Sequence, residues 1–451
     1  MLFDFINLKS GNGAMYKRLY EQITAAVESG IIKTGEKLPS IREAATQLNV
    51  SRTTVENAYL KLCIEGAAES SPQRGYYICE SVRHKQVAVI KPAESEPVLY
   101  DFSGRKIDAS AADTEEWKKT VREVLRDTKE LTSYGDPQGE RGLREALAAY
   151  SYKARGVRTS SENIIIGAGI GPLLSILCGL VGRERTVGME QGGFSQARQI
   201  FSDYGIESLT LESDINGAKP QSLKKSGTDI LFLMPSALSK ISITGLSARR
   251  NEFVKWAEED KNRLIVEDDY NGELRYTARS VTAFQGKYPS GTVYIGSFSK
   301  LLLPSVRIAY MVLPVSLAEK FRLRRSVYNQ TCGKVEQLAL KSYIEAGALE
   351  KHLRRLRKLY YAKSQCVCRA VSELLPEADI TLYESSLTVA INLKKSTESR
   401  IIRDLAAKDG IRLIDTKKAG EVRLCFAGIA DSDIYPAIKK LKECIYLNSS
   451  I

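Results

Sequence analysis

The sequence predicts a two-part chain, a small winged helix-turn-helix head followed by a large α/β domain on a mostly parallel sheet. Three observations carry this prediction. Two short capped helical periodicities and a hairpin-like run follow a first amphipathic helix within residues 1–80. A proline-punctuated stretch, 81–100, shows no sustained apolar periodicity and reads as a linker. From 101 to 451, apolar β-type runs alternate with helical stretches, the pattern of a parallel sheet covered on both faces. With 451 residues, the chain exceeds what one core usually organises, so more than one folding unit is required.

In the head, Leu19, Ile23, Ala26 and Val27 recur at helical spacing over 15–29, and Gly30 stands where a left-handed residue ends a helix. Ser40 is placed to cap a short helix that buries Ile41, Ala44, Ala45 and Leu48. After Asn49-Val50, Ser51 caps a second helix, 51–63, which turns Val55, Ala58, Tyr59 and Leu62 inward and leaves Arg52, Thr53, Thr54, Glu56 and Asn57 outside. This is the geometry with which a helix-turn-helix meets double-stranded DNA. Residues 67–80 then read as a hairpin whose turn, Ser71-Pro72-Gln73-Arg74-Gly75, brings Arg74 to a tip that suits a minor groove.

In the large domain, Ile164-Ile165-Ile166 runs into Gly167-Ala168-Gly169 and a helix, so the backbone at Ala168 and Gly169 can approach an anion at a helix N-terminus. Leu264-Ile265-Val266 ends in Glu267-Asp268-Asp269-Tyr270, which puts Asp268 and Tyr270 at a strand terminus, where a carboxylate can hold a ring nitrogen protonated and a phenol can donate to a ring hydroxyl. Val293-Tyr294-Ile295 leads to Gly296-Ser297-Phe298-Ser299-Lys300, with Arg307 seven residues on. A lysine at a strand end beside hydroxyls can form an imine with an aldehyde, and Arg307 with Ser297 and Ser299 would then grip a phosphate.

Composition narrows the function. The apolar share is 43% and the charged share 27%, ordinary for a globular protein. The two histidines and eight scattered cysteines argue against a His-rich metal site and a Ser-His-Asp hydrolase, so no metal is expected. No run approaches the length of a membrane span, and a cytoplasmic location is expected. The net charge of +12 is not concentrated in the head: residues 1–80 hold nine Lys/Arg against nine Asp/Glu, whereas 300–369 hold fifteen against four. Few phosphate contacts are therefore available to one head, and affinity for DNA calls for two copies.

Residues 15–80, with Leu38-Pro39-Ser40-Ile41-Arg42, Ser51-Arg52-Thr53-Thr54-Val55 and Arg74-Gly75, resemble the GntR-type winged helix. That resemblance implies that Ser40 and Arg42 meet phosphates and that helix 51–63 reads the major groove. The rest resembles a fold-type-I aminotransferase, a pyridoxal 5'-phosphate (PLP) dependent transferase fold with a small C-terminal α+β subdomain at about 330–451. The chain as a whole resembles the MocR/GabR regulators. The supporting residues are Tyr134-Gly135-Asp136-Pro137-Gln138-Gly139, Leu143-Arg144-Glu145-Ala146, Glu267-Asp268-Asp269-Tyr270, Gly296-Ser297-Phe298-Ser299-Lys300 and Arg423-Leu424-Cys425-Phe426-Ala427-Gly428.

The resemblance implies PLP as cofactor, Lys300 as the Schiff-base lysine, Asp268 on the ring nitrogen and Tyr270 near the ring hydroxyl. It further implies that Phe194 stacks on the ring, that Arg307 and the 168–170 turn hold the phosphate, and that Tyr134 reaches a phosphate across a head-to-tail homodimer. Arg423 is implied to bind the carboxylate of an amino-acid-like effector. Three functions are compatible with this set: a regulator that senses PLP or an amino compound condensed with it, a working aminotransferase with an accessory head, and a regulator that has lost PLP. The chain departs from the pattern at Pro235-Ser236-Ala237-Leu238-Ser239-Lys240-Ile241-Ser242, where relatives commonly carry Pro-Ser-His-Gln-Phe-Pro-Thr-Gly. Ile170 replaces a hydroxyl residue, and Gln196 stands where some relatives have an effector-binding arginine.

Overall fold

The computed structural model describes residues 2–8, 13–72, 74–79, 97–190, 194–214, 217–235, 243–276, 281–393, 399–416 and 419–447. The chain separates into two compact units, Met1–Ser95 and Glu96–Ile451. Most of the expected linker, and residues 236–242 of the departing segment, lie outside the described residues.

The first unit has α1 (Met15–Glu28), α2 (Ile41–Leu48) and α3 (Arg52–Ile64), then β1 (Ala68–Ser71) and β2 (Gly75–Ile78). Ser40 caps α2 in a reciprocal box, its Oγ accepting from the Glu43 amide and its own amide donating to Glu43 Oε2 at 2.9 Å. Asn49 closes α2 in the left-handed region, φ 52°, which an asparagine adopts at low cost, and Ser51 starts α3 with a bond from the Thr54 amide. The chain thus turns between the two helices within three residues. Leu19, Ile23, Ala44, Val55, Tyr59 and Leu62 form a shared core, and the buried Tyr59 hydroxyl donates to the Pro39 carbonyl at 2.9 Å. β1 and β2 pair antiparallel from Ala68↔Ile78 to Ser71↔Gly75. The segment 35–38 also joins this hairpin: Gly35 donates to Ile78 and Leu38 to Tyr76. The wing is therefore tied to the entrance of α2.

The second unit is built on a seven-stranded sheet, β3 (Ile164–Gly167), β4 (Thr186–Glu190), β5 (Glu207–Leu211), β6 (Ile230–Leu233), β7 (Leu264–Asp268), β8 (Thr292–Ser297) and β9 (Ala309–Val312). Their order is β3-β9-β8-β7-β6-β4-β5. Only β9 runs against its neighbours, pairing antiparallel with β8 and β3. Alternate residues enter opposite cores: Ile164, Ile166, Tyr294 and Tyr310 on one face, Ile165, Val293, Ile295 and Met311 on the other. Burial on both faces is why these strands read as unbroken apolar runs.

A three-stranded antiparallel sheet, β10 (Asp379–Tyr383), β11 (Thr388–Asn392) and β12 (Glu421–Cys425), forms a smaller layer. It packs beside the 27-residue helix Ala348–Leu374. Tyr100–Asp101 pairs in parallel with Ile411–Arg412, so the start of this unit is stitched to its C-terminal layer. The next residues, 102–108, are thereby carried across the ends of the central strands.

Candidate cofactor site and DNA-reading face

Three strand ends and one edge of the small sheet converge. β7 delivers Asp268 and Tyr270, β8 delivers Ser297, Ser299 and Lys300, β3 delivers the glycine turn before a helix, and β12 contributes Cys425. These are the carboxyl ends of parallel strands, where open α/β sheets bind ligands.

Lys300 is buried at 6% exposure. Its Nζ lies 3.4 Å from Cys425 Sγ and 5.4 Å from the centre of the Tyr270 ring. Burial works against its charge, but the Cys425 thiol and Tyr270 hydroxyl outweigh that and hold the ammonium form above the ordinary lysine range. Gly104 passes so close that a β-carbon there would stand 3.2 Å from Cys425 Sγ and 3.4 Å from Lys300 Nζ, and its φ of +77° also favours glycine. The backbone at 104 therefore roofs the amine.

Asp268 is buried, and burial followed by the neighbouring Asp269 pushes its carboxyl up to about 8. Neither influence lowers it, so this carboxylate is at ease only when a cation joins it. The two acidic neighbours face the other way, as strand alternation demands. Asp269 takes two bonds from the buried Arg155, Nε to Oδ2 at 2.5 Å and Nη2 to Oδ1 at 3.1 Å, and one from the Tyr294 hydroxyl at 2.9 Å. Glu267 accepts the Phe284 amide at 2.7 Å and lies 3.9 Å from Arg250. Those two carboxylates anchor the end of β7, and Asp268 alone is left for a ligand.

A second cradle lies at the start of the helix Ile170–Val181. Gly169 has φ +97°, and a β-carbon there would meet Arg307 Nη2 at 2.6 Å. Arg307 reaches Ser299 Oγ at 3.5 Å, and Ser297 Oγ donates to Ser299 Oγ at 3.3 Å. Thr331 accepts the Ala168 amide at 3.0 Å and fixes the turn. Helix N–H groups, two hydroxyls and an exposed guanidinium make a site for a phosphate dianion. An amine for an aldehyde, a buried acid for a basic ring nitrogen and an anion cradle, all in one cleft, are the donor set that PLP requires.

The remaining expected residues are placed as follows. Phe194, half-buried, precedes the helix Ser195–Asp203 and packs against the core on that side of the sheet. Tyr134 is fully exposed on a loop whose Asp136 is held by Arg144 and Arg325. Arg423 shares the inward face of β12 with Cys425, but its Nη2 donates to the buried Glu421 at 2.9 Å, and its guanidinium lies 5.2 Å from the Tyr383 ring. In the head, Ser40, Arg42, Ser51, Arg52, Thr53 and Asn57 are exposed, Thr54 is half-buried, and Arg74 is exposed at the hairpin turn beside Gly75. The Ser40 hydroxyl has a structural duty as well as an outward position.

Sequence reasoning missed Gly104, Cys425, Arg155 and Tyr360 as parts of this site. Tyr360, on the long helix, is fully buried and its hydroxyl finds no hydrogen-bond partner among the described residues, while the charge of Lys300 acts on it directly. The signal available for Arg155 was the acidic run it neutralises; for the others, sequence spacing carries none.

Comparison with known proteins places both units. Residues 15–78 match the model of bacterial regulatory proteins of the gntR family, and residues 106–441 match aminotransferase class I and II. The uncharacterized HTH-type transcriptional regulator YdeL of Bacillus subtilis is 34% identical over 95% of this chain and 96% of its own length. The HTH-type pyridoxine biosynthesis transcriptional regulator PdxR of Corynebacterium glutamicum is 30% identical, covering 87% of this chain and 86% of its own. The probable rhizopine catabolism regulatory protein MocR of Rhizobium meliloti is 28% identical over 88% and 85%. Among solved structures, the kynurenine aminotransferase of Pyrococcus horikoshii superposes with a TM-score of 0.69 at 23% identity, covering 79% of this chain and 92% of that one. The fold is thus that of the PLP-dependent aminotransferases, and no helix among the described residues is long and apolar enough to cross a membrane. With its GntR-type DNA-binding head and class I and II aminotransferase domain, the chain belongs to the MocR/GabR-type family of HTH transcriptional regulators.

Proposed function

We propose that this protein is a cytoplasmic, dimeric transcription regulator whose DNA affinity responds to PLP, or to an amino compound condensed with PLP, held at Lys300. The observation that carries the reading is the combination of the Lys300 amine with a buried acid, Asp268, to which no cation among the described residues is paired, and a separate anion cradle at Gly169 and Arg307. PLP, when bound, supplies an electrophilic aldehyde on an electron-withdrawing ring.

The chain's own groups do the rest. Lys300 presents the amine under the Gly104 roof. Asp268 keeps a proton on the ring nitrogen, Tyr270 donates on the hydroxyl side, and Phe194 covers a ring face. Ala168, Gly169, Ser297, Ser299 and Arg307 hold the phosphate, and the fully exposed Tyr134 reaches it from a second copy. Arg42 and Ser40 contact DNA phosphates; Ser51, Arg52, Thr53, Thr54 and Asn57 enter the major groove, and Arg74-Gly75 the minor groove. The neutral charge of the head makes two heads necessary. A relative named for regulating pyridoxine biosynthesis supports vitamin B6 status as the signal.

A ligand shifts DNA affinity only through its differential affinity for two arrangements of the protein. Gel shifts with and without PLP, on wild type and Lys300→Ala, test this. PLP is expected to change the apparent affinity of the wild type alone; identical binding in all four cases rejects PLP control.

A further inference from the structure

Lys300 has a close neighbour that the holding of PLP does not use. Cys425 Sγ stands 3.4 Å from its Nζ, the lysine lying just after β8 and the cysteine at the end of β12. Both side chains are buried, at 6% and 1% exposure. The cysteine is fixed by its backbone, whose amide donates to the Phe102 carbonyl at 2.9 Å. A β-carbon at Gly104 would lie 3.2 Å from Sγ and 3.4 Å from Nζ, so one strap of chain covers sulfur and amine together.

Peroxide oxidises the thiolate, and cysteines beside a lysine are the susceptible kind. A sulfenic acid, once formed, condenses with a nucleophile within its reach. The backbone at Gly104 stands in the way of a bulky external thiol, and Cys425 is in no disulfide; the amine of Lys300 is already at hand. Closing the gap needs only rotation about the long Lys300 stem. Other buried thiols differ: burial pushes Cys178, Cys332 and Cys444 up to about 12, which keeps them in the unreactive thiol form.

We propose that Cys425 and Lys300 are an oxidation-sensitive pair in which hydrogen peroxide joins Sγ to Nζ as a sulfenamide and so withdraws the amine that takes PLP. The thiolate displaces hydroxide from peroxide and becomes the sulfenic acid; sulfur gives up two electrons and peroxide is reduced. That hydroxide takes a proton from the Lys300 ammonium, making one water. The freed amine attacks sulfur, the N–S bond forms as the S–O bond breaks, and the hydroxyl leaves with an amine proton as a second water. A dithiol reverses the step: one thiol takes the sulfur and returns the amine, and the other releases Cys425 as the reductant closes to its own disulfide. A cleft that admits the ring of PLP also admits peroxide, which is hardly larger than water. The block on PLP rests on the reading of Lys300 as the imine-forming residue; the cross-link does not.

The test treats unloaded, reduced protein with hydrogen peroxide, removes the excess with catalase, and maps its peptides by mass spectrometry with and without dithiothreitol. The Lys300 and Cys425 peptides are expected joined, about 2 Da lighter than their sum, and separated by dithiothreitol. Recovery of Cys425 as free thiol, sulfinic acid or a disulfide, with Lys300 unjoined, overturns the proposal. Lys300→Arg keeps a cation beside the thiol without the amine. It is expected to lose the joined pair and to carry Cys425 on to sulfinic acid; a Cys425 peptide joined to a different amine in this variant overturns the assignment.

Peroxide-treated wild type is further expected to lose the borohydride-sensitive imine absorbance that PLP gives, and to regain it after dithiothreitol. Full absorbance from protein already shown to be cross-linked overturns the block. If untreated protein gives no such absorbance, the Lys300 reading itself fails, and the peptide map still decides on the cross-link.

Discussion

Asp268 offers a pH-dependent perturbation whose size follows from its surroundings. Burial and Asp269 raise its carboxyl to about 8 in the folded protein, against an ordinary value of 3.8. Between those values the unfolded chain has released this proton while the folded protein retains it. The unfolded state therefore binds fewer protons, and stability falls as pH rises through the window. Each pH unit there costs about 1.4 kcal/mol, so moving from about pH 5.5 to about pH 7.5 removes roughly 3 kcal/mol. Asp268→Asn mimics the protonated acid and cannot ionise, so its stability lacks this component. Glu267 and Glu273, also pushed up by burial, titrate in both proteins and cancel in the comparison. Urea unfolding read by tryptophan emission suits the measurement, because both tryptophans, Trp117 and Trp256, lie in the large unit. The wild type is expected to lose roughly 3 kcal/mol more than the variant across that interval without PLP. Saturating PLP, whose ring nitrogen brings the missing cation, is expected to remove most of the difference. Parallel pH profiles for the two unloaded proteins would refute the reasoning, since they would mean that Asp268 is ionised without help.

Two further outcomes follow from the groups around it. Arg155→Met leaves Asp269 buried without its guanidinium and is expected to cost about 3–5 kcal/mol of large-unit stability, whereas adding Asp269→Leu restores much of the loss; urea unfolding of wild type and the two variants checks this, and a single-variant loss under about 1 kcal/mol contradicts it. Cys425→Ala removes the thiol that helps hold Lys300 protonated, so borohydride trapping of PLP on Lys300 is expected to reach half its maximal rate at lower pH than in wild type; an identical pH profile rules that contribution out.

What could be read in the sequence follows from how local each signal is. The helices of the head announce themselves through Ser40, Asn49 and Ser51, because caps and turns act within three or four residues, and Val55, Ala58, Tyr59 and Leu62 face inward as their spacing requires. Segment 35–38 escaped notice because a strand that pairs only through Gly35 and Leu38 has no periodicity of its own. β4, β5 and β9 were not singled out for a related reason. β9 is four residues, buried on both faces, and neither its length nor its pattern separates it from a loop or a helix fragment.

The site divides along the same line. Asp268, Tyr270, Ser297, Ser299, Lys300 and Arg307 sit on strand ends, where direction along one strand fixes what a side chain can face, so order in the chain becomes order in space. Gly104 and Cys425 reach Lys300 from more than a hundred residues away, carried by the pairing of Tyr100–Asp101 with Ile411–Arg412 and by the register of β12. A motif match assigned Arg423 as it stands in its own strand. That Glu421, two residues earlier on the same face, binds its guanidinium is a fact of three dimensions: the strand repeat makes them neighbours, but only the fold buries the Glu421 carboxylate at that place.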